Sequence, residues 1–149
     1  MNNSAHHFAV AQLARRDYSR HEVQSKLKLK GFESVEIEKT LDRCESSGFI
    51  DDKRYAELLI RSHINKGHGP IRIRQVMAQK GLAKDEIDLA LDSCDYDWFE
   101  LAQKKSLKKY SNTPIENHRD RAKRTRYLLG QGFAYDQITY ALEYVQYDE

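Results

Sequence analysis

The chain has 149 residues, of which 40% are hydrophobic and 32% charged, with a formal net charge of +2. This balance excludes a bulk polycation, and no apolar run approaches the ~20 residues needed to span a bilayer. Seven Gly and two Pro fit helices with short connections, and two Cys make no disulfide framework.

In chain order the first segment is a helix with Phe8, Ala11, Leu13 and Ala14 on its apolar side, ending near Arg15-Arg16. Ser19 with Glu22 is a capping-box pattern that opens a helix carrying Val23 and Leu27, and Gly31 ends it. A third helix bears Val35, Ile37, Leu41 and Cys44 and closes near Gly48. Asp51-Asp52 is an N-cap signal for a helix through Tyr55, Leu58, Leu59 and Ile64. Gly67 and Gly69 break the chain, and Pro70 fits the first turn of a helix carrying Ile73, Val76 and Met77, which ends at Gly81. Ile87, Ala90 and Leu91 build the next. The last third opens around Trp98-Phe99 and runs through Leu101 and Leu107. Residues 111–114 form a loop by composition. Helices from about His118 to Gln131 and from about Asp136 to Val145 complete it. No alternating strand pattern occurs, so the reading is all-α, nine helices in three groups of three.

A repeat underlies these groups. Gly31-Phe32, Gly81-Leu82 and Gly132-Phe133 stand at offsets of 50 and 51 residues. Each is followed by Ile37, Ile87 or Ile138 and then by Leu41, Leu91 or Leu142, and preceded by Leu27, Met77 or Leu128. Residues 1–50, 51–97 and 98–149 are expected to form three tandem three-helix repeats in an elongated, curved array, since units this small must share contacts. Stacked modules of this kind present surfaces, so a binder is expected. Cys44 and Cys94 fall at equivalent positions and are expected as reduced residues filling core gaps. Arg124 stands where Val23 and Ile73 do, which implies either a shifted register or a middle helix presenting a face the other two bury.

Signals for chemistry are sparse. There is no phosphate loop, nucleophile elbow or C-x-x-C pair, and the six His show no spacing typical of zinc ligands, so neither enzyme, metal nor cofactor is expected. The N-terminus lacks the charged-then-apolar signal pattern, which points to a soluble cytoplasmic protein. The sharper feature is charge: between Lys104 and Arg126 nine basic residues face only Glu116 and Asp120. Such a band suits phosphates or an acidic protein groove, although a solvated helix face has the same composition. Tyr110 and Tyr127 nearby are the right residue type to stack on bases, and equally to fill a core rim.

Gly48-Phe49-Ile50-Asp51-Asp52-Lys53-Arg54-Tyr55-Ala56 resembles the glycine-aromatic-(Ile/Leu)-Asp-Asp-x-Arg-aromatic-Ala block of the RecX family. Gly67-His68-Gly69-Pro70-Ile71-Arg72-Ile73, followed by Lys80-Gly81-Leu82, is similar to the family's G-(aromatic)-G-P-x-R-I and K-G-I blocks, with His68 where an aromatic is usual. Weaker matches are Leu13–Ser19 at one end and Arg126-Tyr127-Leu128 with Gly132-Phe133 at the other. The resemblance implies a regulator of the bacterial RecA recombinase, expected here to be a monomer without catalytic activity of its own. Such a protein lies in the groove of the RecA–DNA filament and restrains ATP hydrolysis, strand exchange and the coprotease activity behind the SOS response. Direct binding of DNA without RecA is the second reading. Exposed basic residues are the contact candidates: Arg15, Arg16, Lys26 and Lys30, then Arg72 and Arg74, then Lys123, Arg124 and Arg126. Asp51, Asp52, Arg54, Tyr55, Gly69 and Pro70 are expected instead to lock adjacent repeats together through caps, ion pairs and packing.

Overall fold

The computed structural model describes residues 4–143, which contain nine α-helices and no strand. These are α1 (Ala5–Arg15), α2 (Arg20–Leu29), α3 (Ser34–Ser46), α4 (Asp52–Asn65), α5 (Pro70–Gln79), α6 (Lys84–Ser93), α7 (Trp98–Tyr110), α8 (His118–Gly130) and α9 (Tyr135–Glu143). The expected run of the last helix to Val145 passes outside the described residues.

Side-chain caps set most of the starts, each satisfying an amide that the helix leaves without a partner. The Glu22 amide donates to Ser19 Oγ while the Ser19 amide donates to the Glu22 carboxylate, both at 3.0 Å, completing the capping box of α2. The Arg54 amide donates to Asp51 Oδ1 at 3.1 Å, Glu100 to Asp97 at 3.1 Å and Asp120 to Asn117 at 2.9 Å. Pro70 opens α5, where its missing N–H leaves no helical bond unmade.

The described residues divide into two compact units: the chain through Leu58 with Val76–Ala90, and Leu59–Gln75 with the residues from Leu91 onward. In the first unit α1, α2 and α3 enclose Ala5, Ala9, Val23, Leu27, Ile37, Leu41, Cys44 and Ile50. In the second, α7 and α9 pack closely, with α8 against both, around Leu101, Ala102, Leu128, Phe133, Ile138 and Ala141.

Several apolar assignments differ from expectation, beginning with Ala11 and Ala14 on α1, which are exposed while Ala5 and Ala9 fill the inward face. Val35 is 67% exposed because Ile37, Leu41 and Cys44 already occupy the inward stripe of α3, and residue 35 lies two positions off it. Leu58 is exposed beside the buried pair Leu59 and Ile60. Cys44 is fully buried, with its thiol pushed up by burial, whereas Cys94 is only half-buried, 3.2 Å from the Leu91 carbonyl.

The repeated glycines do more than end helices. In the first unit Gly81 (φ +84°) lies against the His21 side chain so closely that a Cβ there would overlap it, and Ser19 Oγ donates to the Lys80 carbonyl. In the second unit the same joint recurs one repeat later. Gly132 (φ +98°) sits on the backbone and Cβ of Arg72, and the Gly69 amide donates to the Gln131 carbonyl at 2.8 Å. The Ile71 amide adds a bond to the Gly132 carbonyl at 3.0 Å. Ser19 and Gly69 are equivalent repeat positions, as are Lys80 and Gln131. Gly31 has a similar φ of +87° but nothing within 4 Å of its Cβ position.

Candidate partner-binding surfaces

In the first unit the end of α1 and the last turns of α2 bring cations onto aromatic rings. The Arg16 guanidinium lies 4.9 Å and Lys26 Nζ 4.7 Å from the centre of the Tyr18 ring, and Lys30 Nζ lies 5.2 Å from that of Phe8. Phe8 in turn packs on Phe32 with ring centres 6.5 Å apart. Arg15 is exposed on the same helix end, and Leu29, between Lys28 and Lys30, is 89% exposed. Cation–π contacts of this kind contribute about 0.5–1 kcal/mol at exposed sites, enough to hold the cations in place without neutralising them. Four of the contact candidates, Arg15, Arg16, Lys26 and Lys30, thus share this surface. Tyr18 and Phe8 carry no charge signal in the sequence, and their role as ring supports is visible only once α1 and α2 pack.

The central Gly48–Ala56 block turns inward. Arg54 pairs with Asp17 at 3.0 Å and donates to the Gly48 carbonyl, also at 3.0 Å. The Arg20 amide donates to Asp52 Oδ1 at 3.0 Å, and the Arg20 guanidinium gathers Glu38, Asp42 and Glu45 from α3. Burial raises the Asp52 carboxyl, and the Arg20 amide opposes that shift. Tyr55 is 1% exposed, and its hydroxyl sits beside Glu22 and Arg16 without a hydrogen bond of good geometry. Burial, then the Glu22 charge, pushes this phenol up to about 12. These residues connect the first turn of α4 to the elements before it.

Arg72 is half-buried: its backbone supports Gly132, and Nη1 reaches the Gly130 carbonyl at 3.4 Å. Arg74 is exposed and makes interactions of its own.

Arg124 corrects the expectation of an exposed cation. It is 7% exposed and donates to Asp120 (3.1 Å), the Thr113 carbonyl (2.9 Å) and hydroxyl (3.1 Å) and the Pro114 carbonyl (3.3 Å). Its guanidinium also lies 4.8 Å from the centre of the Tyr110 ring, which meets Tyr127 edge-on. The position therefore keeps its inward facing, with a charge in place of Val23 or Ile73. Three of these bonds, to Thr113 and Pro114, fasten the loop to α8, as a planar guanidinium can and an aliphatic side chain cannot. The adjacent depression, about 300 Å³, is lined by Ser106, Leu107, residues 111–115, Arg124, Ala141 and Leu142. Asp120, held below the usual carboxylate range by the Glu116 amide and then by Arg124, closes the cluster.

The basic band is also less uniform than its composition. Lys104 pairs with Glu100 at 3.1 Å and Arg121 with Glu143 at 3.7 Å, carboxylates that lie outside the 104–126 window. Lys109 covers the Tyr127 ring at 5.3 Å. Lys123 and Arg126 remain exposed on α8. Among the described residues no group of three or more His, Cys, Asp or Glu is placed to hold a metal ion, and no helix is long and apolar enough to cross a membrane.

Nine helices among the described residues, a backbone joint that recurs at the repeat spacing, and cations mounted on rings define a class: an all-helical protein assembled from related three-helix modules. Family models for the first, second and third three-helix domains of RecX match residues 5–44, 51–91 and 95–142. The chain belongs to the RecX family. It is 55% identical over 118 residues to the regulatory protein RecX of Shewanella oneidensis, covering 70% of this chain and 93% of that one. It is 40% identical over 140 residues to the Vibrio campbellii relative of the same name, covering 94% and 90%. Among solved structures, RecX from Lactobacillus salivarius superposes with a TM-score of 0.79 at 25% identity, over 93% of this chain and 92% of that one. A crystal structure of regulatory protein RecX gives 0.78 at 29%, over 92% and 69%.

Proposed function

We propose that this chain binds the groove of the RecA–DNA filament and restrains RecA's ATP hydrolysis, strand exchange and coprotease activity by occupancy, with no catalytic chemistry of its own. It acts in the cytoplasm as a monomer whose three repeats, 1–50, 51–97 and 98–149, contribute contacts along neighbouring RecA protomers. Membership of a family of regulatory proteins supports the regulatory part of this reading. The observation that carries the contact surface is the set of cations held over Tyr18 and Phe8, with Arg15 beside them. Such a patch is complementary to acidic side chains or phosphates, and its cations are ordered before a partner arrives. Arg74, Lys123 and Arg126 in the second unit are further contacts in this reading, as is the part of Arg72 left outside the joint. Arg124 contributes by shaping the 111–117 loop. Asp51, Asp52, Arg54, Tyr55, Gly69 and Pro70 hold adjacent repeats together.

Co-sedimentation with RecA–DNA filaments, alongside DNA alone and RecA alone, tests this directly. The pair Lys26→Glu and Lys30→Glu should weaken filament binding by about tenfold or more at low salt, a loss of about 1.4 kcal/mol or more. Unchanged sedimentation and unchanged ATPase inhibition by the folded variant would refute this surface.

A further inference from the structure

The turn between α4 and α5 and the face of α7 opposite it form a second cationic site in the second unit, separate from the Tyr18 surface. A cavity of about 140 Å³ is lined by Ile64, Asn65, Lys66 and Gly67 from the turn and by Leu101, Lys104, Lys105 and Lys108 from α7. Four of its eight lining residues are lysines and none is acidic. We infer that this site binds a phosphate group, the ammonium groups of Lys66, Lys105 and Lys108 sharing its charge between turn and helix.

Capping of α4 alone does not account for the arrangement. The C-terminus of a helix carries about half a negative charge, and one cation answers it. Lys105 is that cation: its Nζ donates to the Lys66 carbonyl at 2.9 Å, and its stem runs across Gly67, where a Cβ would lie 2.9 Å from the ammonium. Lys66 and Lys108 are then surplus, exposed and without a carboxylate partner among the described residues, while Glu100 answers Lys104. The Lys105 ammonium meets a carbonyl rather than a carboxylate, so its charge is only partly compensated. Burial, then Lys108 and Arg72, pull its pKa down. The volume lies below the roughly 300–1,000 Å³ of organic-ligand clefts and suits one compact anion. Point-like ammonium groups from two directions match the several oxygens of a phosphate, whereas a lone carboxylate would leave two or more of them unmet.

A histidine pair borders the same turn. His63 Nδ1 and His68 Nδ1 are 2.8 Å apart, so one proton lies between them and the two rings cannot both be fully protonated in this geometry. The charged groups acting on His68 are His63 and Lys66 at the end of α4, Arg72 on α5 and Lys105 on α7. With burial, the largest cause, they push it down to about 4. An anion seated among these lysines offsets their charge, so binding is linked to uptake of a proton at His68.

The full-length ¹⁵N-labelled chain can be titrated with inorganic pyrophosphate, with oligothymidylate and with polyglutamate, followed by amide and histidine-ring NMR. Saturable shifts at Lys66, Gly67, Lys105 and Lys108 with a rise in the His68 pKa are expected. A response to both phosphate probes, or to oligothymidylate alone, marks a phosphodiester backbone as the source. A response to pyrophosphate alone marks a free phosphate. The combined Lys66→Gln and Lys108→Gln variant, both sites being exposed, should keep its circular dichroism. It should also flatten the log–log salt dependence of oligothymidylate binding, or weaken pyrophosphate if that is the ligand; two lost phosphate contacts to a single strand change the slope by about 1.4. Restoration by Lys66→Arg with Lys108→Arg would confirm that charge is the requirement. The inference is overturned by no saturable shift with either phosphate probe, by equal response to polyglutamate, or by phosphate binding that the Gln variant leaves unchanged. RecA is absent from every arm, so failure here is distinct from failure of the filament reading.

Discussion

Three alanine substitutions separate the two demands that the repeat joint makes on its glycines. Gly31→Ala tests conformation alone: φ is +87°, but nothing lies within 4 Å of the new methyl group. A left-handed alanine costs about 1–2 kcal/mol. Gly69→Ala tests space alone, since this glycine is outside the left-handed range but its Cβ would lie 2.7 Å from Phe133 N and closer still to the Gly132 carbonyl group. Because the obstacle is backbone rather than a side-chain end, relief requires moving α5 away from Gly132 and stretching the bonds from Gly69 and Ile71. Overpacking costs about 1–3 kcal/mol, and each hydrogen bond lost adds about 1 kcal/mol. Gly132→Ala combines both demands, with φ +98° and overlap on the Arg72 backbone, for a total of about 2–5 kcal/mol. Urea unfolding measures all three: Trp98, the single tryptophan, packs against the second core and reports on Gly69 and Gly132, and far-UV circular dichroism reports on Gly31. Gly132 and Gly69 should each lose more than Gly31. If Gly132→Ala costs no more than Gly31→Ala, the close backbone contact is not what holds the joint.

Other substitutions probe individual side chains. Arg124→Ala should cost about 3–4 kcal/mol by thermal or urea unfolding, since it strips a buried guanidinium from two carbonyls and a carboxylate. Tyr55→Phe removes a buried hydroxyl that makes no well-formed hydrogen bond, so stability should change by less than about 1 kcal/mol in either direction; a larger loss would assign it a real partner. Asp120 binds its proton less tightly folded than unfolded, so it stabilises the fold above about pH 4. That contribution fades as pH falls through the depressed folded value, and Asp120→Asn should abolish this part of the acid dependence of unfolding. Gly130→Ala, at the last residue of α8 with open space around it, should be neutral or stabilise by about 0.5–1 kcal/mol in the same unfolding assay.

The helices were legible because their signals are local. Ser19 with Glu22, Pro70 after Gly69, and the Ile37–Leu41–Cys44 stripe each declare themselves within a turn or two of sequence, and the structure places each where that signal puts it. What the sequence hid depends on residues far apart along the chain. Composition counted the 104–126 window as strongly basic, yet Glu100 and Glu143 answer two of its cations from outside it. Arg124 read as a surface residue because arginine is usually exposed; two of its acceptors are carbonyls of a loop, which no side-chain pattern records. Likewise, nothing in a spacing rule says that Tyr18 will sit beneath Arg16 and Lys26, or that Lys66 will face Lys105.

The joints have a consequence for how such a chain varies. At Gly132 the meeting of one repeat with the next is set by main-chain atoms and the first carbon of Arg72, features nearly every amino acid shares, whereas at Gly81 the ring of His21 takes part as well. Helix surfaces can therefore change charge, size and partner while the step from module to module keeps its length. The alphabet at the two joints shrinks to one letter, and that restriction leaves the remaining positions on the outer faces open to drift.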